Sequence, residues 1–256
     1  MTSVHHEQWL KVFHSTRGDA VRLVCLPHAG GSASFFFPMA KSIGSAVEVV
    51  AVQYPGRQAR RHEPGIDNIP EFADEIFAAV RQLDDRPLAL FGHSMGAVLA
   101  YEVAIRMSQA GLPAPTRLFA SGRRAPSCYR DEQLHKGSDQ QIVAELRTLG
   151  GPNQAMLADP EILAMILPAV RSDYRAVERY QSDPRLRLDC PVTVLTGDRD
   201  PRVSLEEARS WDRHTTGPIE LEVFSGGHFF LVEHSAEIMK LITDRLGEPM
   251  PLGGGA

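Results

Sequence analysis

The stretch that decides the fold is PLALFGHSMGAVLA, residues 87–100. A short apolar run typical of a buried strand leads into G-x-S-x-G and then directly into helix-forming residues. In that context Ser94 stands on a tight strand-to-helix turn, with its hydroxyl above the end of a sheet. Gly92 and Gly96 let the strand and the helix approach closely, and they permit strained backbone angles at the turn. The stretch therefore predicts that Ser94 is a nucleophile.

Length, charge and cysteine content narrow the class of protein. The chain of 256 residues suits one large α/β domain rather than two independent domains. A net charge of −5 over this length gives no reason to expect a nucleic-acid partner. Three widely spaced cysteines, Cys25, Cys128 and Cys190, fit neither a zinc site nor a disulfide framework. Neither H-E-x-x-H nor C-x-x-C occurs, so we expect no metal and no cofactor.

The ends of the chain carry no recognisable targeting signal. Residues 1–10 lack a basic segment followed by an apolar core, and no apolar run approaches the length of a membrane span. We therefore expect a cytoplasmic protein that does not bind membranes, with a monomer as the default. Residues 248–256 contain a Gly-Gly-Gly run and are expected to form a flexible tail.

Short apolar segments alternate with helical patterns along most of the chain. Most of the apolar runs are nearly continuous, which suits strands covered on both faces in a parallel sheet. The predicted strands are Val21–Leu26, Val47–Gln53, Leu88–Phe91, Arg117–Ser121, Val192–Thr196 and Glu220–Phe224. The predicted helices are Ile69–Leu83, Ser94–Ala110, Val203–Arg213 and Ser235–Leu246. This alternation predicts an α/β fold with a mostly parallel, doubly wound sheet.

The alternation stops over about residues 125–185, where no strand-like run occurs. Ser138-Asp139-Gln140-Gln141 resembles a capping box, and it opens a helix that Gly150-Gly151 closes. A second helix is predicted from Asp159-Pro160, with an apolar stripe and a kink at Pro168. A helical block between two strands of such a sheet lies over the strand ends, where ligands bind. We interpret this insertion as a lid, and a packed helical cap without a gating role is the alternative.

A serine hydroxyl is a poor nucleophile at neutral pH, so Ser94 needs a base, and the base needs an orienting acid. On an elbow of this kind the chain order is serine, acid, histidine, as in the α/β-hydrolase fold. The histidines that follow the serine are His135, His214, His228 and His234. His228 comes directly after the strand-like run that ends at Phe224, so its loop can hold the imidazole over Ser94. We therefore predict that His228 is the base.

Two carboxylates are candidates for the acid. Gly197-Asp198-Arg199-Asp200-Pro201 follows a predicted strand and contains both of them. Asp200 lies farther beyond the strand end, whereas Asp198 has the position of a residue that caps or braces the loop. The other acid position of this fold follows the preceding strand, and there Ser121-Gly122-Arg123-Arg124 holds no carboxylate. We favour Asp200 over Asp198.

Negative charge develops on the former carbonyl oxygen of a tetrahedral intermediate, so backbone donors are needed to bind it. One predicted donor is the N–H of Met95, the residue after the nucleophile. The second should come from His28-Ala29-Gly30-Gly31, the loop after an early strand. We favour the Ala29 N–H, with Gly30 as the alternative, while the plainer interpretation of this loop is a glycine turn.

Six short motifs, taken in order and spacing, carry a resemblance to a known family. They are LPHAGG (26–31), YPGR (54–57), GHSMG (92–96), SGRRAP (121–126), TGDRD (196–200) and GGHFFL (226–231). Together they resemble the type II thioesterases, the editing enzymes that accompany polyketide synthases and nonribosomal peptide synthetases. The resemblance implies an α/β-hydrolase fold with a helical lid. It also implies that Ser94 is the nucleophile, His228 the base and Asp200 the acid. Ala29 and Met95 are then the two oxyanion donors.

The same resemblance implies a substrate and a partner. Type II thioesterases act on aberrant or stalled acyl groups, held as thioesters on the phosphopantetheine arm of an acyl or peptidyl carrier protein. Carrier proteins are commonly acidic, so several arginines are candidate docking residues. The alternative is that these arginines are ordinary solvated surface residues. These are Arg57, Arg60, Arg61, Arg123 and Arg124.

Two rival functions use the same sequence features. Another serine hydrolase on this scaffold, such as a carboxylesterase, a lipase or an acyltransferase, needs the same residues. A catalytically silent binding protein is expected to lack part of the catalytic set, and here every part is present.

Overall fold

A seven-stranded sheet forms the centre of the structure, a computed structural model that describes residues 2–14, 16, 18–152 and 154–247. Its strands are β1 (Leu10–Val12), β2 (Val21–Leu26), β3 (Val47–Val52), β4 (Leu88–His93), β5 (Leu118–Ser121), β6 (Val192–Gly197) and β7 (Ile219–Phe224). Their order across the sheet is β1-β3-β2-β4-β5-β6-β7. β1 is antiparallel to β3, and the other neighbours are parallel. The predicted α/β fold with a mostly parallel sheet is confirmed.

Helices connect and cover these strands. In the described residues they are α1 (Thr2–Trp9), α2 (Phe37–Ser42), α3 (Ile69–Val80), α4 (Met95–Gln109), α5 (Asp139–Leu149), α6 (Pro160–Glu178), α7 (Leu205–Arg209), α8 (Phe230–Glu233) and α9 (Ser235–Gly247). Local signals set several of their ends. The side chain of Asn68, for example, accepts a hydrogen bond from the Glu71 N–H, and Pro70 lies in the first turn of α3.

The strands face two apolar cores, one on each side of the sheet. In β2 the side chains of Val24 and Leu26 belong to one core, while Leu23 and Cys25 belong to the other. Helices α3 and α4 cover the first core, and α2 and α9 cover the second. Because both faces are covered, nearly all successive residues of β2 to β6 are buried, which explains the nearly continuous apolar runs in the sequence.

Four short elements were not predicted, namely α1, β1, α2 and α8. β1 has three residues and pairs with β3 in the register Leu10 to Val52. A segment this short has no readable period, so its pairing with a neighbouring strand is what makes it a strand. Helix α2 has six residues and is equally short of periodic signal.

The predicted helix over Val203–Arg213 is wrong in its second half. Helix α7 ends at Arg209, and a 3-10 turn follows over Ser210–His214. Within that turn Trp211 is fully buried and donates its indole N–H to the Arg123 carbonyl at 2.9 Å. A tertiary contact of this kind overrides the helical propensity of the segment.

Two longer helices, α5 and α6, lie between β5 and β6. The capping box at Ser138 is present, and Gly150 ends α5 in the left-handed region with φ 70°. Helix α6 begins after the N-cap Asp159 and continues through Pro168 to Glu178. The two helices share a small apolar core formed by Ile142, Val143, Leu167, Val170 and Tyr174.

The expected tail over residues 248–256 lies outside the described residues. Among the residues that the structure does describe, none of the helices combines the length and apolar character needed to cross a membrane.

Candidate active site

Ser94 stands at the turn between β4 and α4. Strand β4 runs two residues further than predicted, to His93, so Ser94 is the first residue beyond it. A Cβ on Gly92 would lie 2.1 Å from the Gly96 carbonyl oxygen, and a Cβ on Gly96 would lie 2.0 Å from the Leu26 carbonyl oxygen. The glycines are therefore needed for the close approach of strand and helix. The strained backbone belongs to Ser94 itself, with φ 56° and ψ −117°, and not to the glycines, which corrects that part of the prediction.

His228 and Asp200 meet beyond the ends of two neighbouring strands, β7 and β6. The Nδ1 atom of His228 lies 2.8 Å from Oδ2 of Asp200, and the two side chains are 3% and 0% exposed. The other carboxylate oxygen of Asp200 accepts a hydrogen bond from the Arg202 N–H at 2.8 Å. A carboxylate at Nδ1 orients the ring, leaves Nε2 free for proton transfer and stabilises the imidazolium.

Asp198, the other candidate for the acid, has different contacts. Its Oδ1 accepts a hydrogen bond from the Gly226 N–H at 2.8 Å, and its side chain is half exposed beside Arg199. Asp198 thus braces the loop that carries His228, which is the role considered for it as a capping residue. The geometry places Asp200, and not Asp198, against the imidazole.

The other histidines after Ser94 have partners elsewhere. His135 bonds to Glu178 at 2.5 Å, His214 to Ser127 at 2.8 Å and His234 to Ser225 at 2.9 Å. Of these four histidines, only His228 lines the same cavity as Ser94 in the described part of the chain. No group of three or more His, Cys, Asp or Glu side chains suited to a metal ion occurs among the described residues.

Ser94 and His228 line one cavity of about 130 Å³ beneath α5 and α6. Its apolar wall is formed by Leu146, Leu149, Leu157, Ile166, Val170 and Val177. Ala29 and Gly30 line the same cavity. For comparison, an engineered apolar cavity of about 150 Å³ holds one benzene molecule. The space therefore suits a short, mainly apolar group next to the serine.

Ala29 and Gly30, in the loop from His28 to Gly31, are the candidates for the second oxyanion donor. The Gly30 N–H donates to Oδ2 of Asp173 at 2.7 Å, so it is already engaged. The Ala29 N–H makes no hydrogen bond within the described residues. Met95 is the first residue of α4, so its N–H lacks a partner inside the helix. The geometry favours Ala29 over Gly30 as the donor that acts together with Met95.

Asp173 on α6 is a site residue that the sequence analysis missed. Its side chain is completely buried, and its Oδ1 lies 2.8 Å from Nη2 of Arg57. Burial raises the pKa of this carboxyl, while Arg57 and the Gly30 N–H oppose the rise. A signal was present, because an acidic residue lies between Val170 and Val177 on the apolar stripe of the helix.

Two neutral imidazoles lie close to His228. The His93 ring is centred 5.1 Å from the ring of His228 and 6.0 Å from the ring of His28. Burial lowers the pKa of His28 to about 3, and the charges of His228 and Arg57 add to the effect. Burial also lowers the pKa of His93. Both rings are therefore uncharged at neutral pH and place no fixed positive charge beside His228.

Three of the five arginines predicted as docking residues are unavailable to a partner. Arg57, Arg60 and Arg124 are 8%, 8% and 3% exposed and pair with Asp173, Glu63 and Glu132, respectively. The prediction is wrong for these three, because cationic side chains at these positions are paired inside the protein. Arg123 lines the cavity, and Arg61 is exposed.

Comparison with protein families gives one match across most of the chain. A family model described as a thioesterase domain matches residues 21–246. Among solved structures, the type II thioesterase BorB from the borrelidin biosynthetic cluster superposes with a TM-score of 0.88. That structure is 46% identical, and the match covers 93% of this chain and 97% of BorB.

Two curated relatives from Streptomyces are similar over nearly the whole chain. Thioesterase PikA5 of Streptomyces venezuelae is 46% identical over 93% of this chain and 85% of its own length. The probable cadicidin biosynthesis thioesterase of Streptomyces griseus is 52% identical over 89% of this chain. The matched region spans 63% of the length of that second protein.

Proposed function

We propose, from the premise that this chain belongs to the thioesterase family, that Ser94, His228 and Asp200 hydrolyse acyl thioesters. The chain is a type II, editing thioesterase of polyketide or nonribosomal peptide biosynthesis. One observation carries the assignment of residues. His228, bonded to Asp200 at 2.8 Å, lines the same cavity as the strained Ser94.

The first half of the reaction forms an acyl-enzyme. Nε2 of His228 accepts the hydroxyl proton while Oγ of Ser94 attacks the thioester carbonyl carbon. The carbon–sulfur bond then breaks, the sulfur leaves as a thiol with the proton from the imidazolium, and an ester on Ser94 remains. The buried Asp200 carboxylate stabilises the imidazolium between these proton transfers.

The second half releases the acid. His228 takes a proton from water, whose oxygen attacks the ester carbonyl carbon. The ester bond to Ser94 breaks, and Oγ recovers its proton from the imidazolium. In both halves the N–H groups of Ala29 and Met95 bind the oxyanion, and the loss of one such donor typically costs about 3–4 kcal/mol of transition-state stabilisation.

The proposed substrate is a short acyl group on the phosphopantetheine arm of an acyl or peptidyl carrier protein. The cavity of about 130 Å³ has the volume for a short chain, and its wall is largely apolar. A general editing enzyme benefits from such a wall, because apolar contact discriminates weakly between chains that differ by one methylene. Arg61, the exposed member of the basic cluster, is the proposed contact for an acidic carrier surface.

We propose that residues 125–185 act as a lid over the site. Helices α5 and α6 supply most of the apolar wall of the cavity and shield the reacting atoms from water. We also propose that the enzyme is a cytoplasmic monomer. The free thiols of Cys25, Cys128 and Cys190 are compatible with a reducing compartment.

A fluorophosphonate probe tests the nucleophile. The wild-type enzyme should be labelled and should hydrolyse butanoyl-carrier protein faster than the matching oxygen ester. Ser94→Ala should abolish both labelling and turnover, whereas Ser108→Ala, a change on the exposed side of α4, should preserve both. Labelling of the Ser94→Ala variant at the wild-type rate, or faster cleavage of the oxygen ester, would refute the assignment.

A further inference from the structure

Arg123 faces the catalytic cavity without an acceptor for its side chain. The residue lines the cavity together with Ser94 and His228. Its Nε is shielded from solvent and has no hydrogen-bond partner. Within the described residues, the Arg123 guanidinium makes neither a hydrogen bond nor an ion pair. The backbone is anchored, because the Arg123 carbonyl accepts the hydrogen bond of Trp211.

The charges around Arg123 leave its own charge unbalanced. Glu132 is the nearby acid, but it binds Arg124 at 2.7 Å and Arg202 at 3.1 Å. Burial and the charge of Arg124 lower the pKa of Arg123 to about 9, so the group is still a cation at neutral pH. The surroundings of Arg123 therefore contain more positive than negative charge.

An unpartnered nitrogen shielded from solvent, such as Nε of the half-buried Arg123, is costly for the free protein. Buried polar groups normally have partners, and an exception calls for a specific explanation. A ligand that supplies the missing acceptor removes this unfavourable free energy. Functional residues are often kept at some loss of stability for such a purpose. The partner of Arg123 is thus expected to be a molecule that enters the cavity and carries an acceptor oxygen.

The backbone places Arg123 near the reacting end of the cavity. Gly122, the preceding residue, has φ 58° and lies next to the rings of His93 and His228. A Cβ at Gly122 would lie 2.6 Å from Cε1 of His93 and 3.5 Å from Cε1 of His228. An acceptor for Arg123 therefore belongs on the part of a bound acyl chain that follows the carbonyl attacked by Ser94.

We propose that Arg123 binds an oxygen atom of the acyl chain beyond the thioester carbonyl, as found in a ketone or a carboxylate. Arg123 is then a specificity residue that adds affinity for an oxygen atom on the acyl chain, while the apolar wall still accepts alkyl groups. A guanidinium suits this task, because it offers several N–H donors in one plane and keeps its charge. The inference rests on the proposed function, since it assigns the cavity to the acyl chain.

Binding to the inactive Ser94→Ala variant tests the inference without turnover. Butanoyl, 3-oxobutanoyl and malonyl thioesters of pantetheine have similar size and differ in the oxygen on the third carbon. Adding Arg123→Met should weaken binding of at least one oxygenated ligand about tenfold or more, as measured by calorimetry. The dissociation constant of the butanoyl thioester should change by less than about threefold, which is a small difference in binding free energy.

Stability and a matched variant exclude a structural explanation. Because its side chain has no partner in the protein, Arg123→Met should keep or raise the thermal midpoint of the enzyme. Arg209→Met, at an exposed position on α7, is the control for loss of a positive charge and should leave all three affinities unchanged. In the enzyme with Ser94 intact, Arg123→Met should lower kcat/KM for the same oxygenated thioester only.

The outcomes separate the inference from the proposed function. A loss confined to the ketone or to the carboxylate supports the inference and identifies which oxygen Arg123 binds. Equal weakening for all three thioesters, no weakening for any, or a lowered thermal midpoint overturns it. Failure of the wild-type enzyme to hydrolyse any thioester counts against the proposed function, and the binding series still decides the role of Arg123.

Discussion

Asp173 on α6 accepts a hydrogen bond from the Gly30 N–H at 2.7 Å, across 143 residues of sequence. The same carboxylate pairs with Arg57, whose Nη1 donates to the Gly31 carbonyl at 3.2 Å. The insertion helix and the loop that carries Ala29 are thereby joined through one buried charge pair. Movement of α6 at Asp173 would disturb the proposed oxyanion donor, so lid motion should be confined to other parts of the insertion.

Asp173→Asn should lower both stability and activity. The change leaves Arg57 buried without an ionised partner, and loss of one member of a buried pair costs about 3–5 kcal/mol. Asparagine has one side-chain oxygen for the two donors that Asp173 accepts, so the loop around Ala29 should also lose its fixed position. Small misplacements at a reacting centre can cost on the order of 10²-fold in rate. Urea unfolding and kcat on an acyl thioester measure the two effects.

The double variant Asp173→Leu with Arg57→Met separates the two roles of Asp173. Replacing both charges with apolar groups should recover most of the stability, because buried pairs are often no better than apolar contacts. The Gly30 N–H still lacks its acceptor, so kcat should stay low. Recovery of full kcat in the double variant would show that Asp173 acts on stability alone.

Asp200→Asn and Asp198→Asn should have unequal effects on catalysis. Asp200 contacts Nδ1 of His228, and an amide there favours the wrong tautomer, which in serine hydrolases lowers kcat on the order of 10⁴-fold. Asp198 accepts a hydrogen bond from the Gly226 N–H, and an amide oxygen can still accept it. Steady-state kinetics on one thioester compares the variants, and a larger loss for Asp198→Asn contradicts the assignment of the acid.

Much of the fold could be predicted because its signals are local. A nearly continuous apolar run marks a strand covered on both faces, and β2 to β6 carry one, whereas β7 alternates apolar and acidic residues. The serine elbow, the capping box at Ser138 and the N-cap at Asp159 are also encoded within a few neighbouring residues. Such signals can be interpreted without knowing how distant segments pack.

Long-range pairing accounts for most of what the sequence could not reveal. Arg57 and Asp173 are 116 residues apart, and a single sequence contains no sign that they meet. From the sequence alone Arg57 is therefore expected at the surface, and Asp173 is not recognisable as its partner. Arg123 shows the same limit, because its position in the cavity depends on the packing of α5 and α6 over the strand ends.

Gly96→Ala should prevent correct folding around the nucleophile. Its Cβ would lie 2.0 Å from the Leu26 carbonyl oxygen, a backbone atom of the central sheet that has no room to move. Overpacking of this kind costs at least about 1–3 kcal/mol, and a backbone clash is at the upper end or beyond. Soluble yield and the urea midpoint are the measurements. Gly247→Ala is the control, since a Cβ there meets no atom within 4 Å, and wild-type behaviour of both variants would contradict the clash.

The buried histidines should make the protein sensitive to mild acid. Burial lowers the pKa of His28 to about 3 and that of His214 to about 4, from ordinary values near 6.5. In this range the unfolded chain binds protons that the folded chain excludes, so the free energy of unfolding falls as pH drops below about 6.5. Between its folded and unfolded pKa values, each such histidine lowers the free energy of unfolding by up to about 1.4 kcal/mol for each pH unit of acidification. Above about pH 6.5 it no longer affects the pH dependence.

His214→Gln isolates one of these slopes away from the catalytic cavity. In the wild type the Ser127 N–H donates to Nε2 of His214 at 3.2 Å, and the amide oxygen of glutamine can replace this acceptor. The substitution also removes the titrating group. Urea unfolding at pH 4, 5, 6 and 7 should give a shallower dependence for this variant than for the wild type. His62→Gln, at an exposed position, is the matched control and should keep the wild-type curve. Parallel curves for His214→Gln and the wild type would mean that the protonated imidazole is accommodated in the folded protein.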